Sequence, residues 1–136
     1  MNQSLAAIAV ASLFSAAALA GAPAPKVKAP KATPELLAKG KTVFNTNCAP
    51  CHGESGDGNG PAAAALNPKP RNIKTEAFKQ GDKPEQVFET VTKGIPGTTM
   101  VTWAQLSEDD RWAAVHHVLA LHKGAPKSKP APAKKK

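Results

Sequence analysis

The sequence predicts a small all-α domain with long loops, flanked by disordered tails. Two segments carry apolar residues at helical spacing and begin with good capping residues, and a third segment carries a weaker pattern of the same kind. No segment alternates apolar and polar residues as a half-buried strand would. The chain has 136 residues and no internal repeat, which suits one domain plus tails. We therefore expect three to four helices, with the domain over residues 34–124.

Residues 1–20 are typical of a secretory signal peptide. A run of Ala, Leu, Ile, Val, Phe and Ser from Leu5 to Ala20 ends in Ala18-Leu19-Ala20, which fits the small-x-small cleavage pattern. The run has 16 residues, fewer than the roughly 20 that a membrane-spanning helix needs. We expect cleavage near residues 20–22 and export to the periplasm. Retention of this segment would instead leave the protein tethered to the membrane.

The excess of positive charge lies in the two tails. The formal net charge is +8, but residues 34–124 hold ten basic and all ten acidic residues. Residues 21–33 and 125–136 are rich in Pro, Ala and Lys and lack apolar periodicity, so we expect a disordered linker and a disordered basic tail. The tails suit either solvated spacers or an electrostatic tether to an anionic membrane or an acidic partner. Nucleic acid is not an expected partner, because the tails lack interleaved aromatic residues.

Three helices are predicted from capping signals and periodicity. The first begins at Thr33 as N-cap with Pro34 at N1. Gly40 lies inside this helix, where glycine costs about 1 kcal/mol relative to alanine, which suggests close packing of another backbone. The last helix begins at Ser107 and is expected to stop at Gly124. A weaker helix is predicted over 83–93, with three apolar residues facing inward: Val87, Phe88 and Val91.

Both cysteines of the chain lie in Cys48-Ala49-Pro50-Cys51-His52, a C-x-x-C-H motif. A dithiol oxidoreductase site is one interpretation, but such sites follow a strand in a βαβ unit, and no such unit is predicted here. A zinc site would need four ligands, and adjacent Cys51 and His52 cannot easily serve one tetrahedral ion. A disulfide across so short a loop would stabilise the fold little.

Covalent attachment of haem accounts for all three residues. Each thiol, Cys48 and Cys51, would add to one vinyl group of the porphyrin, and His52 would point its imidazole at the iron. The glycine-rich stretch that follows, residues 53–60, suits a loop that leaves the haem edge with close backbone approach.

Met100 is the expected sixth ligand of the iron. It is the only methionine after the signal segment, and it lies in a Gly-, Pro- and Thr-rich loop just before the last helix. A methionine that merely filled a core gap would more often lie among apolar neighbours. Histidine ligation by His116, His117 or His122 is the competing hypothesis.

These motifs resemble class I c-type cytochromes, the small soluble monohaem electron carriers. The resemblance covers about residues 34–123 and rests on five motifs: Gly40-x-x-x-Phe44, CAPCHG, GDGNGPAAAALNPKPRNI, GIPGTTM and LSEDDRWAAVHHVLAL. It implies a cytochrome c-like fold around one covalently bound haem c. It also implies thioether bonds from Cys48 and Cys51, with His52 as proximal and Met100 as distal iron ligand.

The resemblance makes further implications about packing. It implies that Gly40 and Phe44 meet the Trp112 end of the last helix. It also implies that a proline carbonyl holds the second nitrogen of the proximal imidazole, and Pro61 and Pro70 are both candidates. The chain departs from many relatives at Val101, where they have proline after the methionine, and at His117, where they have an aromatic residue.

The expected function is one-electron transport between redox proteins, with the iron cycling between Fe(II) and Fe(III), and no enzymatic activity. Two protein ligands would fill both axial positions, and a thioether sixth ligand raises the reduction potential relative to a second imidazole. Redox partners would dock weakly at the exposed haem edge of a monomer. The alternative is a haem-based sensor, or a haem subunit of a redox enzyme, with a labile methionine ligand.

Overall fold

The computed structural model describes residues 28–122, and this part of the chain is helical without a strand. It contains four α-helices and a 3₁₀ turn over Ala63–Ala65. The helices are α1 (Pro34–Asn47), α2 (Ala49–His52), α3 (Pro84–Lys93) and α4 (Glu108–Leu121). The all-α prediction is therefore confirmed, with α1, α3 and α4 where periodicity indicated them.

Local capping chemistry accounts for the starts of the long helices. The Thr33 hydroxyl accepts a hydrogen bond from the Leu36 amide at 3.2 Å, and the Ser107 hydroxyl accepts one from the Asp110 amide at 3.1 Å. These bonds satisfy amides that have no partner within the helix. Both predicted N-caps are confirmed.

The contact between α1 and α4 is the most extensive between any two helices in residues 28–122. It depends on Gly40, because a Cβ built there would lie 2.1 Å from the Ala113 carbonyl oxygen and 3.0 Å from the His117 Cβ. Four residues along α1, Phe44 is fully buried and its ring lies 5.2 Å from the His117 ring. Gly40 thus lets the two backbones meet beside Trp112, as the resemblance implied.

Helix α3 packs on α4 through aromatic stacking. The Phe88 and Trp112 rings are 4.1 Å apart and nearly parallel, and the Arg111 guanidinium lies 4.9 Å from the centre of the Phe88 ring on α3. The three residues predicted to face inward from α3 are all buried: Val87, Phe88 and Val91. These contacts place α4 between α1 and α3.

The central position of α4 corrects one expectation about its histidines. Residues 116 and 117 diverge by about 100° on a helix, so helical geometry predicts that at most one of the two faces the core. In the structure the Nε2 atoms of both His116 and His117 are buried, and neither has a hydrogen-bond partner in the described part of the chain. The reason is that α4 is covered on more than one side, so its buried surface is not a single stripe.

Several predictions fall on residues outside the described range. The signal segment, most of the 21–33 linker, Gly124 and the 125–136 tail are among them. Residues 28–33 are described and have no regular structure, although Ala29 packs against the core and its amide lies 3.4 Å from a Glu85 carboxylate oxygen. Within residues 28–122, no helix is long and apolar enough to cross a membrane.

Candidate functional site

The two cysteines and His52 lie where the chain turns from α1 into the short helix α2. The Cys48 amide still donates to the Phe44 carbonyl of α1 at 2.8 Å, and the Cys48 carbonyl accepts from the His52 amide at 2.9 Å. Cys48 therefore ends one helix and begins the next. Both thiols are free. The turn brings two thiols and one imidazole together from five consecutive residues.

The glycine-rich loop after His52 folds back onto α2. The Gly58 amide donates to the His52 carbonyl at 2.7 Å, and the Gly60 amide donates to the Cys51 carbonyl at 3.2 Å. A Cβ on Gly60 would lie 2.3 Å from the Pro50 carbonyl oxygen, so only glycine fits there without a shift of the backbone. The loop thus closes one end of the short helix, consistent with the close backbone approach expected of these glycines.

The Arg71 carbonyl, and not that of a proline, lies next to the His52 side chain. His52 Nδ1 is 3.0 Å from the Arg71 oxygen, so Nδ1 carries the proton and donates it, which leaves the lone pair on Nε2. The expectation that Pro61 or Pro70 would supply this carbonyl is wrong in this chain. The path of the loop brings Arg71 to the imidazole, one residue beyond Pro70.

Burial lowers the pKa of His52, and the nearby Arg71 guanidinium lowers it further, while the hydrogen bond to the Arg71 carbonyl opposes both effects. A lowered pKa keeps the imidazole neutral at pH 7, which is the form that binds a metal. Burial, assisted by the neighbouring Cys51, raises the pKa of the Cys48 thiol to about 11. Cys48 is therefore a neutral thiol at pH 7.

A cavity of about 360 Å³ lies between α2, α3 and the loops over residues 53–83 and 94–107, and we call it the central cavity. Cys48, Cys51 and His52 line one side of it, and Met100 also lines it, from the loop that precedes α4. Much of the remaining wall is apolar: Ile73, Phe78, Val87, Val91, Ile95 and Trp103. The volume falls within the range of cofactor sites, about 300–1,000 Å³.

Hydrogen bonds hold the Met100 loop against the end of α3. The Ile95 amide donates to the Met100 carbonyl at 3.0 Å, and the Met100 amide donates to the Thr98 hydroxyl at 3.1 Å. Gly94 ends α3 at a φ of 70°, and a Cβ there would lie 2.5 Å from the Met100 carbonyl oxygen. The loop is thus closed on itself, with the half-buried Met100 side chain at the cavity wall.

The three competing histidines lie elsewhere. Neither His116 nor His117 nor His122 lines the central cavity. His116 and His117 are in the packing around α4, and His122 Nδ1 lies 2.6 Å from the Ile73 carbonyl oxygen with its ring stacked on Phe78. By contrast, the three side chains of the C-x-x-C-H motif and Met100 all line this one cavity.

The residues present fit a covalently attached haem. Two thiols, a neutral imidazole with a free Nε2 lone pair and a thioether line the same apolar cavity, and these are the donor types that c-type haem uses. Sequence patterns did not identify Arg71 as the partner of His52, nor the pairing of Ile95 with the Met100 carbonyl. A backbone carbonyl leaves no mark in the side-chain sequence, so no sequence signal could have found either.

Comparison with known proteins agrees with this chemistry. The sequence model of the cytochrome c family matches residues 37–122, more than half of the chain. A chain of the reducing HAO-like protein complex of Kuenenia stuttgartiensis has a similar structure, with a TM-score of 0.63 and 32% sequence identity. The similarity covers 77% of this chain but 50% of that one, so this protein spans half the length of its structural relative. No curated protein sequence matches the chain. The chain belongs to the cytochrome c family, whose members hold haem c covalently and transfer electrons.

Proposed function

We propose that this chain is a monohaem c-type cytochrome that carries one electron at a time between redox proteins. The observation that supports this most strongly is that the C-x-x-C-H side chains and Met100 line one apolar cavity from two separate segments. When bound, haem c supplies an iron that gains or loses a single electron. The chain's own residues hold that group, orient its ligands and keep water away.

Each proposed ligand has a defined part in holding the haem. Cys48 and Cys51 form the two thioether bonds, and the turn between α1 and α2 sets their separation. His52 is the proximal ligand through Nε2, and the Arg71 carbonyl, which accepts from Nδ1, sets the orientation of its ring. Met100 is the distal ligand, and its thioether favours the reduced iron relative to a second imidazole.

The apolar wall and the rigid loops suit a protein that exchanges electrons without changing shape. Apolar side chains form most of the exposed cavity wall, and the Met100 amide donates to the Thr98 hydroxyl within its loop at 3.1 Å. Thr98 and Thr99 line the cavity, as does Val101, whose side chain is 59% exposed, so the rim near Met100 is open to a partner and uncharged. A monomer could use this rim for brief, small-area contacts with redox proteins.

A second candidate is a haem subunit of a larger redox complex in which the Met100 ligand is labile. The observation that favours it is the similarity to a chain of the reducing HAO-like protein complex, which is a multi-protein assembly. Carbon monoxide discriminates between the two, because a stable His/Met site resists it and a labile one does not. Co-purification of stoichiometric partner subunits with the native protein would also support the complex.

The absorption spectrum of the holoprotein, oxidised and then reduced, tests the proposed ligands. We expect sharp c-type bands in the reduced form and the weak far-red band of a sulfur–Fe(III) bond in the oxidised form. Met100→Leu keeps the size of the side chain without sulfur, so it should lose the far-red band and keep the c-type bands. His116→Gln is the matched control and should change neither. A wild-type protein without haem would instead favour the interpretation of the C-x-x-C-H motif as a dithiol oxidoreductase site.

We further propose that residues 1–20 direct export to the periplasm and that the basic tails tether the protein to an anionic surface. The N-terminal residue of the protein, determined by mass spectrometry of separate periplasmic and membrane fractions, tests the first point. An N-terminus near residue 21 supports cleavage, and an intact Met1 supports a membrane tether. Deletion of residues 125–136 tests the tail, because loss of binding to anionic vesicles at low salt would support a tether over a spacer.

A further inference from the structure

His122 is a buried histidine that the proposed haem site does not use. It lies at the C-terminal end of α4, is 9% exposed, and does not line the central cavity. Its Nδ1 is 2.6 Å from the carbonyl oxygen of Ile73, 49 positions earlier in the chain. A donor and acceptor so close, and buried together, form a direct hydrogen bond between the end of α4 and the loop that precedes α3.

The same short segment accepts a hydrogen bond from the proximal histidine. Arg71 and Ile73 are two residues apart, and their carbonyls accept from His52 and His122 at 3.0 and 2.6 Å respectively. The Ile73 amide in turn donates to the Gly56 carbonyl at 2.7 Å. The segment that carries the Arg71 carbonyl is thus attached on one side to the haem-binding motif and on the other side to α4.

Hydrogen bonds within residues 72–76 fold the rest of the segment into a compact turn, so we expect it to move as a unit. The Asn72 side-chain oxygen accepts from the amides of Lys74 and Thr75, at 3.0 and 3.2 Å. The Glu76 carboxylate accepts from the Asn72 amide at 3.2 Å, and the Glu76 amide donates to the Asn72 carbonyl at 3.0 Å. A displacement of Ile73 would therefore displace the Arg71 carbonyl with it.

Phe78 adds a second contact between His122 and the cavity wall. The two rings are stacked, with centres 4.0 Å apart and planes 21° apart, and Phe78 lines the central cavity. His122 therefore offers both a hydrogen-bond donor and an aromatic surface to the loop. The two contributions can be separated by substitution.

We propose that His122 is a positioning residue for the proximal ligand: by donating to the Ile73 carbonyl it holds the Arg71 carbonyl in place on His52. The inference rests on the proposed role of His52 as the iron ligand. The strength of the bond from His52 Nδ1 sets how strongly the imidazole donates electrons to the iron. Loosening it makes His52 a weaker donor and raises the reduction potential.

Three variants of the full-length holoprotein separate donor from ring. His122→Phe keeps the aromatic surface and removes the donor. His122→Asn and His122→Gln both remove the ring, but only the Asn side-chain amide places a donor at the distance of Nδ1 from the backbone. The measurements are the exchange rate of the His52 Nδ1 proton with water, by NMR of the reduced protein, and the reduction potential.

We expect faster exchange of the His52 proton in His122→Phe and His122→Gln, by up to about fivefold, which is the ratio for one lost hydrogen bond of about 1 kcal/mol. The reduction potential should rise in the same two variants, and His122→Asn should lie closer to wild type in both measurements. Unchanged values in all three variants would overturn the proposal. Equal changes in Asn and Gln would also overturn it, because the ring and not the donor would then matter.

Failure of this inference is distinguishable from failure of the proposed function. A wild-type protein without c-type absorption bands would remove the proposed haem site itself. Normal bands together with unaffected His122 variants would leave the haem site standing and remove only the role of His122. If His122→Phe does not fold, the comparison of Asn with Gln still separates the donor from the ring.

Discussion

Gly40 lies directly against the Ala113 carbonyl, where an added Cβ would approach that oxygen to 2.1 Å. The neighbouring atom belongs to the backbone of α4 and cannot move aside as a flexible side chain could. This backbone contact between the two longest helices of the described chain therefore depends on the absence of a single methyl group.

The first prediction is that Gly40→Ala destabilises the protein despite the higher helix propensity of alanine. Alanine gains about 1 kcal/mol in a helix interior, but forced separation of packed elements costs about 1–3 kcal/mol and sometimes more. We expect a net loss in the free energy of unfolding, measured by denaturant titration of the holoprotein. Thr42→Ala, on the exposed surface of α1, is the control and should be neutral or slightly stabilising. A Gly40→Ala protein as stable as wild type would contradict the close packing.

The second prediction concerns the Ser107 cap at the start of α4. Its hydroxyl accepts from the Asp110 amide and lies 2.7 Å from the Asp110 carboxylate, which pairs with Lys39 of α1 at 2.8 Å. Ser107→Ala should cost about 1 kcal/mol, or about 4–8 °C in Tm for a domain of this size. Ser107→Thr keeps the hydroxyl and should remain near wild type. A thermal melt followed by circular dichroism makes the measurement, and equal Tm values for Ala and Thr would argue against the cap.

The third prediction is a pH dependence of stability that arises from His117. Burial, and then the positive charge of Lys41, lower the pKa of His117 below its ordinary value of 6.5. The folded state thus favours the neutral ring, and the unfolded state binds a proton first. The contribution to stability is fully present above the unfolded pKa and is lost as pH falls through 6.5 towards the folded pKa.

Between about pH 7.5 and 5.5, the free energy of unfolding should therefore fall more in wild type than in His117→Phe. Phenylalanine does not titrate and keeps an aromatic ring beside Phe44, whose ring lies 5.2 Å from that of His117. Lys41→Gln removes the neighbouring charge and should reduce the pH-dependent loss without abolishing it. Parallel pH profiles for wild type and His117→Phe would mean that His117 does not titrate differently in the folded state.

Helices could be predicted from the sequence where their starts and buried faces follow from local chemistry. Thr33 and Ser107 mark their helix starts because a capping hydroxyl acts within three residues of itself. The spacing of Val87, Phe88 and Val91 identified α3 because all three face the same core. Helix α2 spans four residues, too few for periodicity to show.

The site was predictable in its side chains but not in its backbone contacts. Cys48, Cys51, His52 and Met100 were chosen by chemistry and by elimination, and all four line one cavity, while their ligation remains a prediction. The carbonyl that holds His52 belongs to a residue 19 positions further along the chain, so it depends on the course of the loop between them. Such a partner is set by tertiary packing, which neither composition nor spacing encodes.

The last prediction is that Thr102 stabilises the proposed Met100 ligand by tying its loop to α3. The Thr102 hydroxyl donates to the Thr92 carbonyl at 2.6 Å, and the next amide, of Trp103, donates to the Val91 carbonyl at 3.1 Å. The Thr92 hydroxyl itself accepts from Arg111 of α4 at 2.7 Å. The first two bonds connect the chain just after Met100 to α3, and the third connects α3 to α4.

Thr102→Val has nearly the same shape as threonine but can neither donate to the Thr92 carbonyl nor accept from the Ala104 amide, which lies 3.2 Å from the Thr102 hydroxyl. The bond to the Thr92 carbonyl is the one that ties the loop to α3, and its loss, about 1 kcal/mol, should allow the loop to open about fivefold more often. Carbon monoxide should therefore bind the reduced protein at least about fivefold faster. Thr102→Ser keeps the hydroxyl and should bind carbon monoxide at close to the wild-type rate. Stopped-flow absorption gives the rates. Equal rates for Val and Ser would show that the hydroxyl does not hold the loop, whereas fast binding already in wild type would favour the labile-ligand alternative.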